Sequence, residues 1–286
     1  MRAVRVCVPG SSANLGPGFD VLAAALGLRL TLEVRETGQF RLLTGLRLRR
    51  DRGNLIVRSF ERLLPAERFE FRVSSEIPLS GGMGSSAAGV VAGLMAADHL
   101  AGGGADLLGL ATAIEGHPDN VAASLFGGLV ICDGADVRRL QMPAELEAIL
   151  VIPHEPVRTA AAREALPAQV PLADAVRNLA QIAKLTAGLA TADWELIAGG
   201  LDDRLHQPHR AHLYPRSAAI VSRAVHHGAL GATISGAGPA VLIWWRRGDD
   251  RTALMRWLQS IIEGWAEVRV VAFERAGASV SELTAR

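Results

Sequence analysis

Residues 78–94 read P-L-S-G-G-M-G-S-S-A-A-G-V-V-A-G-L. Gly81, Gly82 and Gly84 strip the Cβ atoms from a short stretch, so the backbone there can bend sharply and approach a ligand closely. Ser85 and Ser86 then open a run of Ala, Val, Leu and Met that reads as a buried helix over 85–100. A helix N-terminus leaves its first N–H groups without intrahelical partners and carries the positive end of the helix dipole. Phosphate is the usual occupant of such a place. The stretch is not a Walker A loop, because the G-K-[ST] ending is missing, and no V-A-I-K strand or H-R-D follows as in protein kinases. Small residues ahead of a helix also suit a plain tight turn, so the choice between turn and anion site rests on the remainder of the chain.

With 286 residues, 49% of them hydrophobic, the chain can bury a large core in one large domain or two modest ones. Its 30 Lys and Arg against 29 Asp and Glu leave a net charge of +1 with no dense basic block, which argues against a nucleic-acid partner. Lys184 is the single lysine, so a mechanism that needs a lysine beside the glycine loop does not apply. Cys7 and Cys132 each sit in apolar, strand-like runs, the pattern of buried free thiols in a reducing compartment. The first residues alternate like a strand without a signal-peptide core, and no apolar run is long enough to span a bilayer. The expectation is a soluble cytoplasmic protein with no membrane partner.

Strands are expected at 4–8, 30–35, 40–48, 69–74, 125–132, 146–152, 241–245 and 267–273. Helices are expected at 55–64, 85–100, 106–114, 160–166, 172–189, 194–201, 217–227 and 252–264. Strand and helix do not alternate strictly, so the class is α+β and not a doubly wound sheet. A boundary near Pro153 divides the chain into 1–153 and 154–286, and the polar last dozen residues, from about Glu274, are expected to fray. Residues 11–20, S-S-A-N-L-G-P-G-F-D, read as a loop that either closes a hairpin through the Asn14 and Asp20 side chains or grips a polar ligand. Asn54 stands just before a helix, where an N-cap belongs. Residues 115–120, E-G-H-P-D-N, crowd four ionisable or amide side chains into six positions, which a binding site needs and a solvated loop also tolerates.

Three of these segments, 11–20, P-L-S-G-G-M-G-S-S-A-A at 78–88 and I-S-G-A-G-P-A at 234–240, together resemble the signature motifs of the GHMP small-molecule kinases. That group takes in galactokinase, homoserine kinase, mevalonate kinase and phosphomevalonate kinase, and the resemblance covers essentially the whole chain. Within it, E-G-H-P-D-N followed by F-G-G, R-T-A-A-A-R-E-A-L-P at 158–167 and L-D-D-R-L-H-Q-P-H-R at 201–210 look like the homoserine kinases. Met83 stands where leucine is usual in the second motif, and Ala240 where a hydroxyl residue is common in the third.

The resemblance implies an N-terminal domain like the second domain of ribosomal protein S5 and a ferredoxin-like C-terminal domain, with ATP between them. By the same resemblance, Pro78, Leu79, Ser80, Gly81, Gly82, Met83, Gly84, Ser85, Ser86, Ala87 and Ala88 form the nucleotide loop, and Asn54 falls near the adenine. Ser86 and Glu115 would ligate Mg2+, both being oxygen donors as that hard ion requires. Arg163 and Arg210 would hold the homoserine carboxylate in planar guanidinium forks, and Asp20 its ammonium. Asn14, His117, Asp119, Thr159 and Gly236 would complete the substrate site, with Asn120 orienting either the hydroxyl or the γ-phosphate. Asp119 is a candidate base, although a loose transition state lets positioning and charge neutralisation carry phosphoryl transfer without one. The implied activity is ATP-dependent phosphorylation of the homoserine hydroxyl, on the route to threonine, by a homodimer. Two other readings share the motifs: a kinase of the same group acting on a sugar or mevalonate-like alcohol, and a non-catalytic nucleotide sensor. The presence of Ser86 and Glu115 counts against the sensor.

Overall fold

The computed structural model describes residues 2–79 and 81–283. In chain order it begins with β1 (Ala3–Asn14), β2 (Gly18–Glu36), β3 (Arg41–Thr44), α1 (Leu55–Phe60), β4 (Phe69–Ser75) and α2 (Ser85–Ala101). Next come α3 (Leu107–Glu115), α4 (Asp119–Phe126), β5 (Leu129–Asp133), β6 (Asp136–Leu140), β7 (Leu146–Pro153), α5 (Thr159–Glu164) and α6 (Leu172–Thr191). The chain continues through α7 (Trp194–Ala198), α8 (Gln207–Arg210), α9 (Pro215–Arg223), β8 (Gly231–Ile234), β9 (Val241–Arg246), α10 (Thr252–Ile262), β10 (Ala266–Ala272) and β11 (Ser279–Glu282).

Two sheets organise these elements. The first has the order β11-β1-β2-β4-β3, and β5 joins it through β2 and carries β6. The long β2 serves two neighbours on the same side: its Leu30–Glu36 portion pairs with β4, while Leu22, Ala23 and Ala24 pair with β5. The second sheet is antiparallel throughout, in the order β10-β7-β9-β8. Side chains alternate across a strand, and β7 and β9 use both of their faces. Leu146, Ala148, Leu150, Ile152, Leu242 and Trp244 join the core under the first sheet, whereas Ile149, Val151, Val241, Ile243 and Trp245 pack on the other side with α9 and α10. Burial on both faces explains why these strands read as continuous apolar runs. Helix α2 is likewise buried on nearly every side, so its alanines, valines and glycines show little amphipathic contrast.

The α+β class holds, and several boundaries differ from expectation for identifiable reasons. The stretch 11–20 is mostly strand: β1 continues through Asn14 and only Leu15, Gly16 and Pro17 turn before β2. The register shifts between Pro9 and Gly10, so the strand absorbs the proline at an irregularity instead of stopping there. Residues 125–132 are two elements, with Gly127 and Gly128 as the break between α4 and β5. The expected strand over 40–48 shortens to β3 and the expected helix over 55–64 to α1. The tail does not fray as far as expected, because β11 pairs antiparallel with β1 from Val4↔Glu282 to Cys7↔Ser279. The sheets change between β6 and β7, upstream of the boundary expected at Pro153, since β7 is hydrogen-bonded within the second sheet.

Candidate active site

The three signature segments meet through hydrogen bonds. Asn14 Nδ2 donates to the Gly236 carbonyl at 2.8 Å, and its Oδ1 accepts from the Asp20 N–H at 3.1 Å. The Gly236 N–H donates to the Ala13 carbonyl at 3.1 Å. Ser235 Oγ lies 2.6 Å from the Gly82 carbonyl and 2.8 Å from Ser12 Oγ. A carbonyl only accepts, so Ser235 donates to Gly82 and receives its second bond from Ser12. Ser11 N–H donates to the Met83 carbonyl at 3.2 Å, and Ser11 Oγ to Asn120 Oδ1 at 2.8 Å.

This interlock dictates glycine in the loop. Gly82 has φ +79°, and a Cβ there would sit 2.3 Å from the Ser235 carbonyl oxygen, a backbone atom that cannot swing aside. Gly84 has φ +66°, and its Cβ would fall 2.0 Å from Ser11 Oγ. Replacing Gly82 with alanine should therefore destabilise the fold by about 2 kcal/mol and, if the loop holds the nucleotide as the resemblance implies, raise the KM for nucleotide about tenfold. Denaturant midpoints and nucleotide titrations that match the parent would show that the loop tolerates another shape.

Gly84 is also the N-cap of α2, and among the described residues no side chain bonds to that end of the helix. Ser85, Ser86 and Ala87 line a cleft of about 540 Å³, so the uncapped amide end forms part of its wall. Beside it Ser86 Oγ donates to Glu115 Oε1 at 2.5 Å, placing two side-chain oxygens next to one another. The floor beyond is the start of α4. Asp119, buried, accepts from the Asn120 N–H at 2.6 Å and lies 2.8 Å from His117 Nδ1 through the same Oδ1.

The hydrogen bond to Asp119 raises the His117 pKa above its usual value against the opposing effect of burial. A raised folded-state histidine contributes stability that is complete below its unfolded value of 6.5 and is lost as pH rises through the folded value. The thermal midpoint gap between the parent and His117→Gln should accordingly be wider near pH ~5.5 than near pH ~8.5. Equal gaps would mean that the pair is not an imidazolium–carboxylate contact.

Elsewhere on the cleft wall, Arg163 Nη1 and Nη2 each donate to one Asp20 oxygen at 3.0 Å. Arg210 is buried, with Nε donating to the Ala162 carbonyl at 2.8 Å. Burial lowers its pKa, with the nearby Arg163 charge adding to the effect, but a guanidinium starts so high that it stays cationic. The Phe19 ring adjoins both arginines, its centroid 5.9 Å from Arg163 Cζ and 5.2 Å from Arg210 Cζ. Thr159, the first residue of α5, lines the same cleft.

Of the residues expected at the site, Asn14, Asp20, Gly82, Gly84, Ser85, Ser86, Ala87, Glu115, His117, Asp119, Asn120, Thr159, Arg163, Arg210 and Gly236 all line this one cleft. Six expected members do not line it: Asn54, Pro78, Leu79, Gly81, Met83 and Ala88. Both ends of the Asn54 side chain are spent, Oδ1 capping the Ile56 N–H and Nδ2 donating to the Arg49 carbonyl, and its neighbour Leu55 faces the cleft instead. Met83 turns its side chain into the core beneath the loop, and Ala88 is buried within α2. Ser80 lies outside the described residues. Sequence reasoning passed over Phe19, Arg158, Ala237 and Gly238 on the cleft wall, and Ser11 and Ser235 behind it. All six sit inside the quoted motifs, so the signal was position, not residue type.

The chain is similar to known proteins over most of its length. The sequence matches the family described as GHMP kinases N terminal domain over residues 54–128, and that described as GHMP kinases C terminal over residues 178–260. It is 42% identical to the homoserine kinase of Synechococcus sp. (strain RCC307), covering 84% of this chain and 83% of that one. It is 36% identical to the homoserine kinase of Synechococcus sp. (strain ATCC 27144), covering 98% and 99%. The crystal structure of homoserine kinase from Cytophaga hutchinsonii superposes with a TM-score of 0.84 at 32% identity, over 98% of both chains. Mevalonate kinase from Methanococcus jannaschii shares the fold, with a TM-score of 0.72 at 16% identity over 94% of this chain and 98% of that one.

Proposed function

The chain belongs to the GHMP kinases and, within them, to the homoserine kinases, and from that premise we propose how its cleft phosphorylates an amino-acid alcohol. The enzyme is an ATP-dependent kinase with the homoserine hydroxyl as acceptor. The observation that carries the reading of the site is that one cleft is lined both by the amide end of α2, at Ser85, Ser86 and Ala87, and by the charged groups Arg163, Arg210 and Asp20. The loop of Gly82, Gly84, Ser85 and Ser86 binds the triphosphate. Arg163 and Arg210 take the homoserine carboxylate, Asp20 takes the ammonium, and Thr159, Asn14 and Gly236 border the bound amino acid.

The hydroxyl oxygen bonds to the γ-phosphorus as the bond from that phosphorus to the bridging oxygen breaks, giving ADP, and the hydroxyl proton departs. A loose transition state makes placement and charge neutralisation the main contributions. Asn120 Oδ1 accepts from Ser11 Oγ, and its Nδ2, which donates to Asp119 Oδ1 at 3.5 Å, keeps a second amide hydrogen for the hydroxyl or the γ-phosphate. Asp119 is held through Oδ1 by His117 and the Asn120 N–H, which leaves Oδ2 to receive the proton. Ser86 and Glu115 fit Mg2+, since both offer oxygen and adjoin the phosphate loop. Bound there, such an ion neutralises charge on phosphate oxygens. Among the described residues no three His, Cys, Asp or Glu side chains cluster to hold a metal, so phosphate and water oxygens would complete its shell. A cytoplasmic homodimer belongs to the same reading; among the described residues no helix is long and apolar enough to cross a membrane.

Coupled ADP release over a panel of alcohols tests the reading. Homoserine should exceed mevalonate, galactose and serine in kcat/KM by about a hundredfold or more, as a site that pairs buried polar groups with its substrate allows. Faster turnover of a sugar or of mevalonate would replace this reading with a sibling one.

A further inference from the structure

Resting on the assignment of the substrate carboxylate to Arg210, we propose that His206 is a positioning residue that aims the Arg210 guanidinium into the cleft as a neutral hydrogen-bond acceptor. His206 is fully buried and does not line the cleft, so it acts only through its neighbours. Its Nε2 lies 2.8 Å from the Gly16 carbonyl oxygen and its Nδ1 lies 3.2 Å from Arg210 Nη1. The carbonyl accepts only, so Nε2 carries the hydrogen; arginine donates only, so Nδ1 presents its lone pair. Both contacts demand the neutral Nε2–H tautomer, because an imidazolium would turn an N–H against the guanidinium.

The surroundings favour the same state. Burial lowers the His206 pKa, although the Asp203 carboxylate works the other way. Asp203 is 3.5 Å from Nε2 and already accepts the N–H groups of Leu205, His206 and Gln207, which fixes the start of α8. Arg210 is thus gripped by the Ala162 carbonyl at Nε and by His206 at Nη1, with the Phe19 ring alongside, and its other N–H groups are left for a ligand.

The choice of acceptor has a consequence for charge. A carboxylate in place of His206 would orient the fork equally well but would neutralise it. An imidazole lone pair orients it and leaves the positive charge for the substrate. Among the described residues no carboxylate forms an ion pair with Arg210, in contrast to Arg163, which is paired with Asp20.

Two variants separate the two bonds of the ring. His206→Gln can keep a donor toward Gly16 but loses the acceptor toward Arg210, whereas His206→Asn keeps an acceptor near the Nδ1 position. His206→Gln should raise the KM for homoserine about tenfold, the loss of one charge-assisted hydrogen bond, with the KM for ATP changed by less than about twofold. His206→Asn should show a smaller rise. In an Arg210→Ala background, which alone must raise the homoserine KM, His206→Gln should add nothing further. A full additive effect there, no effect of His206→Gln in the parent, or a larger rise for Asn than for Gln would overturn the positioning role. An Arg210→Ala variant with normal homoserine KM would instead overturn the carboxylate assignment. Should the variants fail to fold, nitrogen-15 shifts of the histidine rings in the intact enzyme decide: His206 must show an unprotonated Nδ1 at neutral pH, and a protonated Nδ1 would overturn the proposal.

Discussion

Glutamine in place of Glu115 should lower kcat by about a hundredfold or more, the scale on which one preorganised charge-stabilising group acts in a transition state. The substitution preserves shape, and the amide oxygen can still accept the Ser86 hydroxyl that now bonds to Glu115 Oε1. What disappears is one negative charge beside the uncapped end of α2. If the proposed cation sits there, the Mg2+ concentration needed for half-maximal rate should rise together with the fall in kcat, while the KM for homoserine stays within about threefold. An unchanged Mg2+ titration at full rate would remove Glu115 from the metal site and leave Ser86 without its companion.

Alanine in place of Arg163 should produce the complementary profile, a homoserine KM higher by about a hundredfold with the KM for ATP nearly unchanged. Stability should barely respond, since the Arg163 side chain is 43% exposed and a solvated ion pair contributes about 1 kcal/mol or less. The pairing with Asp20 sharpens the expectation. These two groups hold one another by two bonds of 3.0 Å, and they are the same two groups assigned to opposite charges of the amino acid. A zwitterion can divide them because it supplies a partner to each. A hydroxy acid without the ammonium would leave Asp20 alone and should bind far more weakly than homoserine. If Arg163→Ala raised the ATP and homoserine KM values equally, the fork would not be reading the substrate carboxylate.

Much of this was legible in the residues. A glycine loop ahead of an apolar helix needs only local rules, and α2 begins where they place it. The crowding of E-G-H-P-D-N likewise marked the cleft wall. Other features depend on distant partners. β6 is five polar-leaning residues and β8 only four, too little pattern to announce a strand without the neighbours that pair with them. Pro9-Gly10 reads as a stop, and only the register irregularity against β2 lets β1 continue. Asn54 shows the reverse case: its local role as a helix cap was plain, and one bond at each end of its side chain serves that turn. His206 lies in a quoted segment, yet its task is set by Gly16, 190 positions earlier.

The bond from Ser235 to the Gly82 carbonyl joins residues 153 positions apart. A fragment ending after β6 would contain every residue of the glycine-rich segment and still lack the wall that gives it shape. Closing so long a span comes late in folding, because its entropy cost falls due before the contacts that reward it. If the loop holds the triphosphate as proposed, nucleotide affinity is a property of the completed chain, and a mutation deep in the second sheet should weaken ATP binding without touching a single group that meets the phosphates.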